Sequence, residues 1–328
     1  MTDRILVLGG TGWVGRRVAE AWLERGARVS VTARGGRAAP AGADLVVTDR
    51  DLPEAYDALA GTEWDEIVDV SSVPAHVAQA ASALGDRAAH ATYISSVSVY
   101  ADATRVGADE RAAIIEPLGE ADAYDYARAK VAAEGEAAAL GARVSVIRPG
   151  LIVGPGDPTD RFGYWPARFS AAGAEAVLVP EATALRAQVI DVDDLVSFVV
   201  ASGARGFDGL VDAVGPSHPL AEVVTVARDA AGHTGEVHTA PADWLERHGI
   251  AHWAGPRSLP LWLPADMPGF ASRSGAAYRA AGGRTRPLAE TVARVLEDER
   301  ERGVARSRTS GLERAEELAL IEALRAER

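Results

Sequence analysis

Residues 4–15, Arg4-Ile5-Leu6-Val7-Leu8-Gly9-Gly10-Thr11-Gly12-Trp13-Val14-Gly15, decide how the rest of the chain is read. The short apolar run up to Leu8 reads as a strand, and residues 15–25 carry the makings of a helix. Glycines between a strand and a helix have distinct uses. Gly9 and Gly10 permit a tight turn, Gly12 lets a ligand approach the backbone, and Gly15 lets helix and strand pack closely. An anion placed there meets unpaired N–H groups and the positive end of the helix dipole. This is the context that a dinucleotide phosphate loop requires, and it makes Gly9, Gly10, Thr11, Gly12, Trp13, Val14 and Gly15 candidate cofactor contacts. Trp13 reads as packing under the loop.

Outward from this loop, β-rich runs alternate with alanine-rich helical stretches. Further strands are expected at residues 27–32, 45–48, 66–70, 92–95 and 143–147, with a helix over 124–140. That rhythm predicts an α/β fold with a doubly wound parallel sheet, since parallel strands need crossover helices. After residue 155 the texture changes to a glycine- and proline-punctuated loop and then to mixed pieces. The expected division is a dinucleotide-binding domain over 1–155, to which 186–202 returns. A smaller mixed α/β substrate domain follows over 156–303, and then a tail helix within 304–328. Leu318, Ile321 and Leu324 give that tail a narrow apolar stripe, which predicts docking on its own subunit or on a partner.

The 328 residues are 48% hydrophobic and 25% charged, an ordinary globular balance. No run is long enough for a membrane span, and the N-terminus does not read as a signal peptide. Cysteine is absent, which removes disulfides and thiolate chemistry and suits a reducing, cytoplasmic setting. A net charge of −13 disfavours nucleic acid as a partner. The expected partner is a small-molecule substrate, with no membrane; assembly into a homo-oligomer stays open. His248 and His252 are four apart, but Gly249 interrupts them, so no metal is expected.

NAD-specific folds usually end their second strand with a carboxylate that holds the ribose 2′-hydroxyl. Here residues 29–37 read VSVTARGGR, and Arg34 and Arg37 stand in that place. A guanidinium fork suits a 2′-phosphate, so NADP is expected, with NAD still open. Asp49, after strand three, is a candidate acceptor for the adenine amine, or a surface aspartate. Ser71 after strand four and Pro149 after strand six complete the candidate contacts.

Tyr126-Ala127-Arg128-Ala129-Lys130 sets a tyrosine and a lysine on one helix face, while strand five runs into Ser95-Ser96-Val97-Ser98-Val99-Tyr100. With the glycine loop, these motifs resemble the extended branch of the short-chain dehydrogenase/reductases, the NAD-dependent epimerase/dehydratase relatives. Arg148-Pro149-Gly150, Val153-Gly154-Pro155 and Val189-Ile190-Asp191-Val192-Asp193-Asp194-Leu195 are similar to later family segments. The resemblance spans most of residues 3–300 and implies a Rossmann-type fold and an NAD(P)-dependent oxidoreductase or epimerase. It implies catalytic roles for Ser96, Tyr126 and Lys130. Tyr126 would be the acid–base group, Ser96 would hydrogen-bond the substrate oxygen, and Lys130 would hold the nicotinamide ribose while lowering the phenol's pKa. Tyr124 and Arg128 share the spacing but offer the wrong cation.

The chain departs from sugar-nucleotide relatives in two places. Val97 and Ser98 stand where dehydratases carry an Asp-Glu pair, and Leu151 stands where epimerases hold a diphosphate with Asn. A fairly apolar small molecule is therefore the expected substrate, with hydride transfer to or from a carbonyl or alcohol. Transient oxidation by an epimerase uses the same residues, and a non-catalytic dinucleotide-binding protein is the rival class. The acidic stretch 101–123 reads either as a loop that shapes the pocket or, by preference, as a solvated excursion. Arg161, Tyr164, Trp165, Trp244, Trp253 and Trp262 are candidates to reach the substrate, although tryptophan more often fills cores.

Overall fold

The computed structural model describes residues 2–119 and 121–327. The first half contains β1 (Arg4–Leu8), α1 (Trp13–Glu24), β2 (Arg28–Ala33), β3 (Asp44–Val47), β4 (Glu66–Asp69), α2 (Pro74–Leu84), β5 (Ala91–Ile94), α3 (Tyr126–Ala137) and β6 (Val144–Pro149). After β7 (Leu151–Val153) come α4 (Tyr164–Ala172), β8 (Val177–Pro180), β9 (Arg186–Asp191), α5 (Val192–Arg205), β10 (Gly209–Ala213) and β11 (Ser217–Pro219). The rest comprises α6 (Leu220–Ala231), β12 (Val237–Ala240), α7 (Ala242–Arg247), β13 (Ala251–Trp253), β14 (Ser258–Pro260), α8 (Ala276–Ala280), α9 (Leu288–Arg302) and α10 (Arg314–Ala326).

Seven strands form one parallel sheet in the order β10-β6-β5-β4-β1-β2-β3. Side chains alternate across a strand, and β1 shows what that does. Ile5 and Val7 join a cluster with Val18 and Trp22 of α1 and Leu195 and Val199 of α5. Leu6 and Leu8 join another with Ala80 and Leu84 of α2. Both faces of β1 are thus buried, and each such side chain contributes about 1.5–3 kcal/mol. The strand order reverses between β1 and β4, which opens a crevice at their carboxyl ends.

The six expected strands all form. The segment at 186–202 splits: β9 pairs with β7 and β11 in a small sheet, and α5 lies against α1. Sequence reading did not place β10, which closes the edge of the large sheet beside β6. Asp191, Asp193 and Asp194 sit at the start of α5. Asp191 caps the helix through the Asp193 amide, and the three acids pair with Arg17, Arg286 and Arg294.

A separate core occupies the second half, built on Trp165, Phe169, Leu220, Val292 and Leu320 among others. Leu320, Ile321 and Leu324 of α10 are buried in it, so the tail docks on its own chain. The expected stripe fails at one of its three positions, because Leu318 is 38% exposed. Asp157 and Asp160 in the preceding loop are buried, and Asp160 accepts the Thr309 amide at 2.9 Å. Among the described residues, no helix is long and apolar enough to cross a membrane.

Residues 101–119 and 121–123 are mostly exposed, as a solvated excursion should be, but the backbone of the stretch is anchored on the rest of the chain. Gly107 donates to the Ser272 carbonyl at 2.7 Å, Ser274 to that of Ala108 at 3.0 Å, and Gly269 to that of Ala103 at 2.7 Å. Glu110 takes the Asp212 amide at 2.8 Å. Backbone groups that any residue carries make most of these bonds, so composition gives no sign of the anchoring.

Candidate active site

The phosphate loop can be tested position by position. A Cβ on Gly10 would lie 2.5 Å from Val31, and one on Gly15 would lie 2.5 Å from the Gly9 carbonyl oxygen. Gly9 holds φ +88°, where a side chain is strained. Gly12 differs: a Cβ there would meet only the Gly9 oxygen, at 3.4 Å, so packing does not demand glycine. It is the N-cap of α1, with no side-chain cap and no acid in the first turn. The amides of Trp13, Val14 and Gly15 therefore lack intrahelical acceptors, and clear backbone faces the crevice. These residues fit a dinucleotide pyrophosphate.

Two pockets adjoin at Gly12. The first, about 620 Å³, is lined by Gly9, Thr11, Thr32, Arg34, Arg37, Thr48 and Asp49, with Asp51 and His76 across from them. Arg34 and Arg37 are exposed at its rim. Arg50 also lines it, but its fork is spent on Asp69, at 3.0 and 2.6 Å. The expected adenosine-end residues Arg34, Arg37 and Asp49 are thus brought together. Asp49 also accepts the Asp51 amide at 3.1 Å.

The second pocket, about 510 Å³, gathers Ser96, Tyr126, Lys130, Trp13, Val14 and Pro149. Asp125 caps α3 by accepting the Arg128 amide at 2.8 Å, so the helix begins at Tyr126. Tyr124 therefore lies before the helix, and Arg128 turns instead to Asp122. Lys130 is buried under the pocket. It donates to the carbonyls of Ser71 at 2.8 Å and Ile94 at 2.6 Å, which leaves one of its three donors. Burial pulls its pKa down to about 8, against the opposing charges of Asp69 and Glu134. Ser96 accepts the Ser98 amide at 3.1 Å and donates to the Ser98 hydroxyl, also at 3.1 Å.

Burial pushes the Tyr126 phenol above its usual value. A hydrogen bond with Ser96 and the charge of Arg161 pull it back, while Tyr124 pushes it up. Arg161 is thus a cation that acts on the phenol, a role the sequence reading had not assigned to it. Two expectations shift. Ser71 contributes its carbonyl to Lys130 and turns its hydroxyl towards the Val73 amide, and Ser72 is the residue that lines the pocket. Gly10 supports the loop from beneath, against Val31. Trp13 lines the pocket and also packs, donating to the Pro155 carbonyl at 2.9 Å.

Of the later candidates, Arg161 and Trp253 line the pocket, joined by Thr159 and Phe270, which were not among the candidates. Tyr164 and Trp165 are core residues in an edge-on pair 5.0 Å apart. Trp244 stacks on His248 and Trp262 on His252, which also accounts for the two histidines.

The family model described as "NAD dependent epimerase/dehydratase family" matches residues 5–91 and 67–212. The chain belongs to that family. The matched region contains the glycine loop, Ser96, Tyr126, Lys130 and Arg161, so the resemblance to the extended short-chain dehydrogenase/reductases holds, as does the enzyme class. A search of curated proteins found no match. Among solved structures, a protein from Burkholderia cenocepacia J2315 is similar at TM-score 0.72 and 21% identity, over 91% of this chain and 98% of that one. The UDP-N-acetylglucosamine 4-epimerase of Bacillus cereus is similar at 0.66 and 15%, over 91% and 97%. The Bordetella bronchiseptica enzyme WbmG, solved with NAD and UDP, is similar at 0.67 and 18%, over 93% and 97%. At these identities the likeness is one of fold.

Proposed function

We propose that the protein is an NADP(H)-dependent oxidoreductase acting on a carbonyl or alcohol of a small molecule. The observation that carries this is a pair of pockets that adjoin at Gly12, one lined by Arg34 and Arg37 and the other by Ser96, Tyr126 and Lys130. When bound, the dinucleotide supplies or accepts hydride. Tyr126 gives its phenolic proton to the substrate oxygen in the reducing direction and takes it back in the other. Ser96 hydrogen-bonds the same oxygen and shares its developing charge. The remaining N–H of Lys130 holds ribose hydroxyls. Arg34 and Arg37 neutralise a 2′-phosphate.

A second reading, epimerisation by transient oxidation, draws on the family match and on the epimerases among the neighbours. Here those residues would take the proton off and return it after the carbon has turned its other face. Leu151, an apolar pocket residue, argues for a substrate without a diphosphate.

Calorimetric titration tests the cofactor choice. NADPH should bind at least several-fold more tightly than NADH, and Arg34→Asp should narrow or reverse the ratio; tighter binding of NADH by the parent would overturn it. With a substrate in hand, Tyr126→Phe should lower turnover by roughly 10²–10⁴-fold while NADPH affinity holds. Retained turnover would sink the assigned chemistry. Net consumption of NADPH separates the reductase from the epimerase, which returns the dinucleotide to its starting state.

A further inference from the structure

Arg161 stands out among the pocket residues because so much of the fold is spent on placing it. Asp160, immediately before it, adopts φ +59°, and Trp253, against which it rests, adopts φ +68°. Both are backbone conformations that side-chain-bearing residues rarely hold unless their surroundings impose them. For Asp160 the surroundings are the C-terminal tail. Its buried carboxylate accepts the Thr309 amide at 2.9 Å and pairs with Arg306. The Thr159 carbonyl accepts the Ser310 hydroxyl at 2.9 Å. For Trp253, the amide donates to the Trp262 carbonyl at 3.0 Å, and the ring meets Phe270 edge-on at 5.4 Å. The guanidinium carbon of Arg161 then lies 5.1 Å from the Trp253 ring centroid.

Among the described residues the cation so placed has no carboxylate of its own. Nε donates to the Thr159 hydroxyl at 3.2 Å. Asp157 is the nearby acid, but its oxygens take the Thr159 amide at 2.8 Å and the Thr159 hydroxyl at 3.0 Å. Among the described residues the two terminal nitrogens of Arg161 have no hydrogen-bond partner, and Arg161 lines the same pocket as Tyr126. Two parallel N–H groups match the two oxygens of a carboxylate. A protein of net charge −13 otherwise repels an anionic ligand, so a local cation is what admits one.

We propose that Arg161 recognises the substrate by a bidentate pair with a carboxylate, on a small acid whose apolar body lies against Trp253 and Phe270. This rests on the reading of the adjoining pockets as a dinucleotide-dependent reaction site. The substrate class is then an aromatic or otherwise apolar acid that also carries the carbonyl or hydroxyl on which Tyr126 acts. Phosphate monoesters fit less well, since one fork meets only half of a dianion's demand.

The test uses the full chain saturated with NADP+ and three probes of one shape: benzoate, benzamide and phenyl phosphate. Dissociation constants come from ligand-observed NMR titration. Benzoate should bind about tenfold more tightly than benzamide, the ordinary worth of a charge-assisted pair. In Arg161→Met that advantage should vanish while NADP+ affinity stays within twofold of the parent, which shows that the variant is folded. The assignment is overturned if benzoate gains nothing over benzamide or fails to bind. It also falls if Arg161→Met binds benzoate as the parent does, or if phenyl phosphate outbinds benzoate. Failure of NADP+ to bind the parent would instead remove the underlying reading, and that result is scored separately.

Discussion

Gly12 and Gly15 stand one helical turn apart and lack side chains for different reasons. At Gly15 the reason is internal: a methyl would press into the Gly9 carbonyl at 2.5 Å, where β1 turns into α1. At Gly12 the nearest atom would be an ordinary 3.4 Å away, so the clearance serves something outside the fold. The two substitutions should therefore separate stability from binding. Gly12→Ala should leave unfolding free energy within about 1 kcal/mol of the parent, the usual scale of an N-cap change. Its NADPH affinity should fall at least tenfold, since the added methyl obstructs backbone approach. Gly15→Ala gains helix propensity, about 1 kcal/mol, but meets a backbone clash that should outweigh it and lower the melting temperature. Chemical denaturation paired with calorimetric titration reads both. Equal loss of NADPH affinity at equal loss of stability would show that Gly12, too, is a packing glycine.

At the scale of elements, α10 offers the sharpest contrast between neighbours. Ile321 is 2% exposed in the second core, while Leu318 on the same helix is 38% exposed. Ile321→Ala should cost about 2–5 kcal/mol, the range for deleting buried aliphatic groups, and Leu318→Ala should stay within about 0.5 kcal/mol. Comparable losses at both positions would mean that Leu318 is covered by something other than this chain. The sequence showed the helix and an apolar stripe, but apolar periodicity cannot tell a core position from its neighbour about a sixth of a turn away. The same limit runs through the site. The glycine loop, Ser96, Tyr126 and Lys130 were legible because each motif is local, held in one turn or on one helix face. Arg161 and Trp253 could be named only as candidates, because their meeting depends on a strained backbone fixed by the tail and by Trp262. Phe270 and Thr159 were not among the candidates, since nothing local singles out either residue within its segment. The exposure of residues 101–119 was legible in their acidity, but not their anchoring, because backbone amides and carbonyls are invisible in composition.

For the whole molecule, the question is whether the two cores respond as one body. Their connections are buried and polar. Gln188 donates to the carbonyls of Gly215 at 2.8 Å and Arg273 at 2.9 Å. Arg273 in turn bonds Asp212 of the large sheet at 2.6 Å. Removing one partner of such a buried pair leaves the other charge uncompensated, so neither core can detach without a penalty of several kcal/mol. The pocket around Tyr126 also spans both, since Gly12 and Lys130 come from the sheet region while Trp253 and Phe270 come from the second half. Calorimetry should therefore show a single unfolding transition for the free protein. NADPH at about a hundred times its dissociation constant should add roughly 2.7 kcal/mol and raise that transition as a whole, by about 5 °C for a chain of this size. Two transitions, of which only one moves with NADPH, would show that the buried links do not couple the cores. Arg273→Met provides the control: if coupling runs through that pair, the variant should broaden or split the transition even where NADPH still binds.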